Sequence, residues 1–307
     1  MSTGTPDGLE AAGEAPQGRH LFCFGCGYSA RRLAARVLAA GGRVSGTSRS
    51  ADGAAALEAA GITPYRFDGE RALPGATFDG VTDLLCSIPP GEGGDDGVLS
   101  LHGDTLAALP DLRWAALLST TGVYGDTGGA WIDEDAPLNP MNERTARRVD
   151  AERTWLDWGA AHDVAVQVFR LPGIYGPGRS PFARLRAGQA LRIHKPGQVF
   201  NRIHVDDIAD ALLLGMRQPE KGPVFHLADD EPAPADEVLA YAAELLGMEP
   251  PPAVPIEAAG LSPMAQSFYD ECKRISNARV KRELGFTPRY PSYREGLAAC
   301  LEEETTG

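Results

Sequence analysis

The stretch Gly25-Cys26-Gly27-Tyr28-Ser29-Ala30 limits what this chain can fold into more than any other. It follows the apolar run Leu21-Phe22-Cys23-Phe24 and opens a helical pattern over 31–40. Strand, glycine turn and helix, in that order, set a dinucleotide pyrophosphate at a helix N-terminus, where free amides and the helix dipole meet negative charge. Gly25 permits the sharp turn and Gly27 lets the backbone approach phosphate oxygens. Ala30 stands where helix–strand contact needs a small residue. The next strand pattern, Arg43-Val44-Ser45-Gly46-Thr47, ends in Ser48-Arg49. An acidic residue at that point holds the ribose 2′-hydroxyl of NAD, whereas arginine accommodates the 2′-phosphate of NADP. Ser48 and Arg49 therefore predict NADP as cofactor, with NAD the less favoured form. The bland alternative is an ordinary strand–turn–helix followed by a surface arginine.

The rest of the N-terminal half alternates in the same way. Apolar runs at 21–24, 43–47, 63–67, 81–87, 114–119 and 164–169 are separated in most cases by helical stretches, such as 51–60, 98–109 and 142–161. Buried strands with intervening helices indicate an α/β fold with a doubly wound parallel Rossmann sheet. Ligands in such sheets lie beyond the strand carboxyl ends. The loops expected there are Ser87-Ile88-Pro89-Pro90, Ser119-Thr120-Thr121 and Arg170-Leu171-Pro172-Gly173. After Gly178 the alternation weakens, Pro and Gly gather around 188–197 and 250–255, and helical patterns dominate (206–216, 235–246, 276–284). The expected organisation is a disordered tail over 1–18, a dinucleotide-binding domain over 19–175 and a smaller, mostly helical substrate lobe over 176–307. A segment within 200–230, around Phe225-His226-Leu227, is expected to return to the main sheet.

Composition narrows the partners. A net charge of −13 repels nucleic-acid backbones and anionic lipid. No apolar run reaches the ~20 residues of a membrane helix, and the first eighteen residues lack the basic start and apolar segment of a secretory signal. The expectation is a cytoplasmic protein acting on a small molecule, with neither nucleic acid nor membrane as partner. Cys23, Cys26, Cys86, Cys272 and Cys300 form no disulfide framework in a chain this long. Cys23-x-x-Cys26 lacks the second pair or histidine cluster of a metal site, so no metal is expected.

Five stretches in order resemble the extended short-chain dehydrogenase/reductase superfamily, in its NAD-dependent epimerase/dehydratase branch. They are Gly25 to Ala30, Ser119-Thr120-Thr121-Gly122-Val123-Tyr124-Gly125, Arg170 to Gly178, Ile203-His204-Val205-Asp206-Asp207-Ile208-Ala209 and Glu283-Leu284-Gly285-Phe286. The resemblance implies that Asp68 approaches the adenine, that Ser87, Ile88 and Pro89 flank the cofactor ribose, that Leu171 and Pro172 border the cofactor, and that Thr120 takes the place of the catalytic Ser/Thr. It also implies a homodimer through the helices near 98–109 and 142–161. The family's Tyr-x-x-x-Lys pair, four apart on one helix face, is absent. Anchored on Glu152, those positions hold Arg144 and Arg148, which stay protonated and cannot act as acid or base. The chain thus looks like an atypical subgroup without that pair. Gly173 stands where nucleotide-sugar members often carry Asn.

The candidate catalytic residues are Thr120, Arg144 and Tyr124. Thr120 suits a hydrogen bond to a substrate carbonyl, or simply closes a strand. Arg144 suits an anionic substrate group, or equally a solvated basic helix face. Arg148, with more acidic neighbours, reads as that solvated face. Tyr124 is a substitute acid or, like Tyr175, a packing residue. His204 reads as structural, with an Asp capping the following helix. Asp133-Glu134-Asp135 reads as a solvated turn, and Trp155 and Trp158 as packing. The leading function is an NADP(H)-dependent oxidoreductase of a small carbonyl or alcohol. The alternatives are a non-catalytic NADP(H) sensor and a nucleotide-sugar epimerase or dehydratase.

Overall fold

The computed structural model describes residues 17–91 and 96–306, so the expected tail over 1–18 falls outside it except for its last two residues. The central sheet comprises β1 (His20–Phe24), β2 (Arg43–Ser48), β3 (Thr63–Arg66), β4 (Asp83–Cys86), β5 (Trp114–Thr120), β6 (Ala165–Leu171) and β7 (Val224–His226). Their order is β3-β2-β1-β4-β5-β6-β7, and every pairing is parallel. This is the doubly wound Rossmann arrangement. Strand order reverses between β1 and β4, which opens a crevice at their carboxyl ends.

Side chains along each strand alternate between two faces, and both faces are covered. On one, Leu21, Cys23, Leu85 and Phe169 meet Leu33 and Val37 of the helix Tyr28–Ala39 and the apolar stripe of the helix Val205–Arg217. On the other, Phe22, Phe24, Leu84 and Val168 meet Leu99, Leu106, Trp155 and Trp158 from the helices Leu99–Ala107 and Glu143–His162. Covering on both sides is why these strands read as unbroken apolar runs.

The chain beyond residue 176 divides its residues between two cores. The segment Phe225-His226 returns to the sheet edge, with Val224 opposite Val168 and His226 opposite Arg170. Val280 and Leu284 of the helix Ala278–Leu284 join the sheet's core as well. A separate core forms around Tyr175, Phe182, Leu185, Ala242, Tyr293 and Leu297, built on the helices Phe182–Arg186, Ala235–Leu245 and Tyr293–Thr306. Short parallel pairs stitch the regions together, Gly173–Tyr175 with Arg202–His204 and Trp131–Ile132 with Arg274–Ile275.

His204 is structural, but in a way the sequence did not predict. Its Nδ1 accepts from the Asp206 amide at 3.2 Å and caps the helix itself. Asp207, the residue type expected to cap, instead accepts the amides of Arg289 (2.6 Å) and Tyr290 (3.2 Å).

Candidate functional site

The glycine turn at the end of β1 contains two glycines with different physical reasons for being there. Gly25 has φ +79°, and a Cβ added to it would lie 2.9 Å from Ile88 Cγ1 and 3.1 Å from Ser87 Oγ. Conformation and packing both exclude a side chain. Gly27 has φ −90°, open to any residue, and the nearest atom to an added Cβ is the Gly25 carbonyl oxygen at 4.0 Å. Nothing among the described residues demands glycine at 27. It is the N-cap of the helix Tyr28–Ala39, and no side chain caps that helix. Open space in front of uncapped first-turn amides fits a diphosphate.

The other sequence-predicted residues of this region divide into groove and interior. Ser87 donates through Oγ to the Gly25 carbonyl, which fixes the loop after β4 against the turn. Ile88 packs on Gly25, and Pro89 is exposed beside it. Cys26 faces inward: its amide donates to the Thr47 carbonyl at 3.0 Å and its side chain lies over Gly46. Ser29 and Ala30 are likewise buried, so these three residues can offer a ligand only backbone. Tyr28 reaches across to donate to the Pro177 carbonyl at 2.9 Å, and the Arg179 guanidinium stands 4.2 Å over its ring. At the end of β2, Ser48 is half-buried and Arg49 exposed. Arg66, opposite Ser48 in register, donates to the Arg49 carbonyl at 2.7 Å and brings a second guanidinium that no sequence motif singles out. Asp68 is exposed and accepts the Glu70 amide at 3.0 Å.

Beyond β5 and β6 lies a cleft of about 740 Å³, within the size range of small-ligand sites. Thr120, Arg144, Pro172 and Gly173 line its sheet side, while Arg184, Phe200, Phe268 and Lys273 line it from distant parts of the chain. Thr120 Oγ1 accepts from the Gly122 amide at 3.1 Å. Its hydroxyl proton has no acceptor among the described residues. Arg144 is exposed at the start of the helix Glu143–His162, 5.7 Å over the Phe268 ring. Neither Arg144 nor Arg184 has an acidic partner among the described residues. Leu171, by contrast, is packed in the sheet core and sends no side chain into the cleft.

Two sequence expectations are corrected here. Arg148 does not belong to a solvated face: it is turned beneath β5, donates from Nη1 to the Leu118 carbonyl at 3.0 Å, and burial lowers its pKa. Glu134 does not sit in a solvated turn. It is buried, and its Oε1 accepts the His226 amide at 2.8 Å.

Glu134 belongs to an interior polar network that also claims Tyr124. Arg170 grips Glu152 with Nε at 3.1 Å and Nη2 at 2.7 Å from Oε2, and its Nη1 donates to the Tyr124 oxygen. Ser119 donates to Glu152 Oε1. His226 Nδ1 faces the Ser276 carbonyl at 3.0 Å, which can only accept, so that nitrogen carries the proton. Its Nε2, 2.6 Å from Tyr124, therefore accepts the tyrosine's proton. Burial keeps the His226 ring neutral, with a pKa lowered to about 4, and pushes the Tyr124 phenol up to about 12. Tyr124 is 1% exposed, outside the cleft, and its proton is committed to His226. It is not placed to act on a substrate.

Fold and site together define a Rossmann-type dinucleotide-fold protein: a parallel sheet whose glycine turn offers free amides, and a second cleft beyond the adjoining strand ends. The chain matches the model of the NAD dependent epimerase/dehydratase family over residues 111–228. It is 48% identical to a functionally unknown conserved protein from Silicibacter pomeroyi DSS, covering 93% of this chain and 99% of that one with a TM-score of 0.85. It is 28% identical over 290 residues to Protein YeeZ of Escherichia coli (strain K12), covering 89% of this chain and 97% of the relative. Over 185 residues it is 34% identical to a 3-diazoavenalumate denitrifying reductase of Streptomyces sp, covering 54% of this chain and 58% of that enzyme. The family binds nicotinamide cofactors. Among the described residues no helix is long and apolar enough to cross a membrane, and no group of three potential metal ligands occurs.

Proposed function

We propose that this protein is an NADP(H)-dependent oxidoreductase of the subgroup without the Tyr-Lys pair, acting on a small carbonyl or alcohol that carries an anionic group. The observation that carries the reading is the cleft that joins the Thr120 hydroxyl to the guanidiniums of Arg144 and Arg184, neither neutralised by an acid. In this reading the amides of Tyr28 to Ala30 hold the diphosphate, and Ser87 and Ile88 border the ribose. Arg49, just past the end of β2, and Arg66, at the end of β3 and bonded to the Arg49 carbonyl, favour NADP over NAD, since guanidiniums suit a 2′-phosphate. The bound nicotinamide supplies hydride chemistry. Thr120 directs its hydroxyl at the substrate oxygen, and Arg144 fixes the anionic group and so the orientation. The reductase relative supports redox turnover. Gly173, which offers no side chain, argues against a nucleotide sugar.

The test is NADPH oxidation across aldehydes, ketones and sugar derivatives, each with and without a carboxylate or phosphate. Turnover is expected to favour the anionic members, and Arg144→Ala to raise KM for them roughly 10-fold, the loss of one charge-assisted hydrogen bond, with NADPH affinity unchanged. A protein that binds NADPH tightly but oxidises none of the panel is instead the non-catalytic sensor. That second reading is favoured by Arg148, whose fork is spent on the Leu118 carbonyl.

A further inference from the structure

Reduction of a carbonyl needs a proton for the new hydroxyl, and the helix positions that carry the family's donor hold Arg144 and Arg148. Guanidiniums do not release protons near neutrality. Tyr124 is committed to His226, and Tyr175 is buried with its hydroxyl on the Ser292 carbonyl. Of the groups lining the cleft, Tyr269, Glu271 and Lys273 can exchange a proton in ordinary conditions. The Tyr269 ring packs edge-on against Phe200 with centroids 5.1 Å apart, and burial raises its pKa, which weakens it as an acid.

We infer, on the oxidoreductase reading above, that Lys273 is the catalytic acid, giving a proton to the substrate oxygen while Glu271 acts as its positioning residue. Lys273 is 7% exposed, yet it lines the cleft, and its Nζ lies 2.5 Å from Glu271 Oε2. An ammonium has three donors. One is spent on Glu271, and the other two have no acceptor among the described residues. The position is also held. Asn201 donates from Nδ2 to the Lys273 carbonyl at 2.9 Å, and its Oδ1 accepts the Ile275 amide at 2.8 Å. The Asn201 carbonyl in turn accepts the Gly173 amide at 3.3 Å. Gly173 stands two residues after Leu171, the residue opposite Thr120 across β5 and β6. A chain of hydrogen bonds thus ties Lys273 to the strand ends where Thr120 stands.

The balance of the step is simple. The carbonyl carbon gains the hydride pair that a dihydronicotinamide supplies, and the C=O π pair moves onto oxygen. An N–H bond of Lys273 breaks as its proton joins that oxygen, and the neutral amine then takes a proton from water. Glu271 Oε2 holds the nitrogen in place by accepting its hydrogen bond.

Lys273→Arg keeps the charge and the carboxylate contact but does not release a proton near neutrality. With the full chain and the best anionic carbonyl of the panel, kcat is expected to fall about 10²- to 10⁴-fold, the usual contribution of a general acid. KM and NADPH affinity, read by fluorescence titration, should stay within about threefold. The fall of kcat with rising pH that marks a protonated acid should vanish in Lys273→Arg. Glu271→Gln, in which the ammonium loses its carboxylate, should lower kcat while KM and NADPH affinity stay within about threefold. Ethylammonium should restore part of the rate to Lys273→Ala. A Lys273→Arg protein with near wild-type kcat, or a loss found in Tyr269→Phe and not in Lys273→Arg, overturns the assignment while leaving the oxidoreductase reading intact. Absence of turnover in the wild type overturns both.

Discussion

Replacing Gly27 with alanine should separate binding from folding. The backbone at 27 already has a φ that alanine adopts, and among the described residues the nearest atom the added methyl meets, its chain neighbours aside, is the Gly25 carbonyl oxygen at 4.0 Å. Alanine is a poorer N-cap than glycine, while losing glycine's freedom in the unfolded chain pulls the other way, so stability should change by ~1 kcal/mol or less. The methyl would occupy the space in front of the first-turn amides. If it costs a diphosphate one charge-assisted hydrogen bond, the loss is about 1.5–3 kcal/mol, which corresponds to about 10- to 100-fold weaker NADPH binding. Gly25→Ala is the contrast. At φ +79° the left-handed backbone penalises a side chain by ~1–2 kcal/mol, and contact with Ile88 adds to that. It should lose thermal stability as well as binding. NADPH fluorescence titration and thermal melts on both variants decide the matter. Wild-type NADPH affinity in Gly27→Ala refutes the phosphate seat, and a melting loss in Gly27→Ala as large as in Gly25→Ala refutes the claim that packing leaves that space open.

Three further outcomes follow from the same geometry. Arg49→Glu should weaken NADPH by about 100-fold, the loss of a strong charged contact plus new repulsion, and leave NADH binding level or improved; calorimetry on both nucleotides reads the ratio. Glu152→Ala strands the buried Arg170 guanidinium and should cost about 3–5 kcal/mol, measured as a lower urea midpoint. His226 takes up a proton only near pH 4 when folded but near its ordinary value of 6.5 when unfolded. The unfolded state therefore binds more protons in this window, and the stability contribution of His226 is lost as pH falls from about 6.5 to 4. His226→Gln lacks that loss, so its melting-temperature gap from wild type should narrow on acidification; a constant gap refutes the buried neutral ring.

The sheet was legible in the sequence because parallel strands covered on both faces leave apolar runs that local pattern detects. β5 and β6 nevertheless run on to Thr120 and Leu171, past the apolar runs, because their ladder continues through that pair. Phe225-His226 was readable as a returning strand for the same reason. Glu134 and Arg148 were misread because charge in a short segment suggests solvent, and their partners lie far away at His226 and Leu118. The cleft was half legible. Thr120 and Arg144 sit in motifs, but Arg184, Phe268, Glu271 and Lys273 come from segments without a pattern and meet only through the fold. Tyr124 illustrates the converse: a motif residue whose hydroxyl is turned inward by partners no local reading predicts.

The late return of β7 and of Val280 and Leu284 has a consequence for how the chain is made. During translation β6 leaves the ribosome with one edge unpaired and part of its apolar cover not yet synthesised. Such an edge invites wrong partners. Shortened versions ending near residue 176 should be insoluble when expressed, and the nascent protein should depend on chaperones until its last segments emerge.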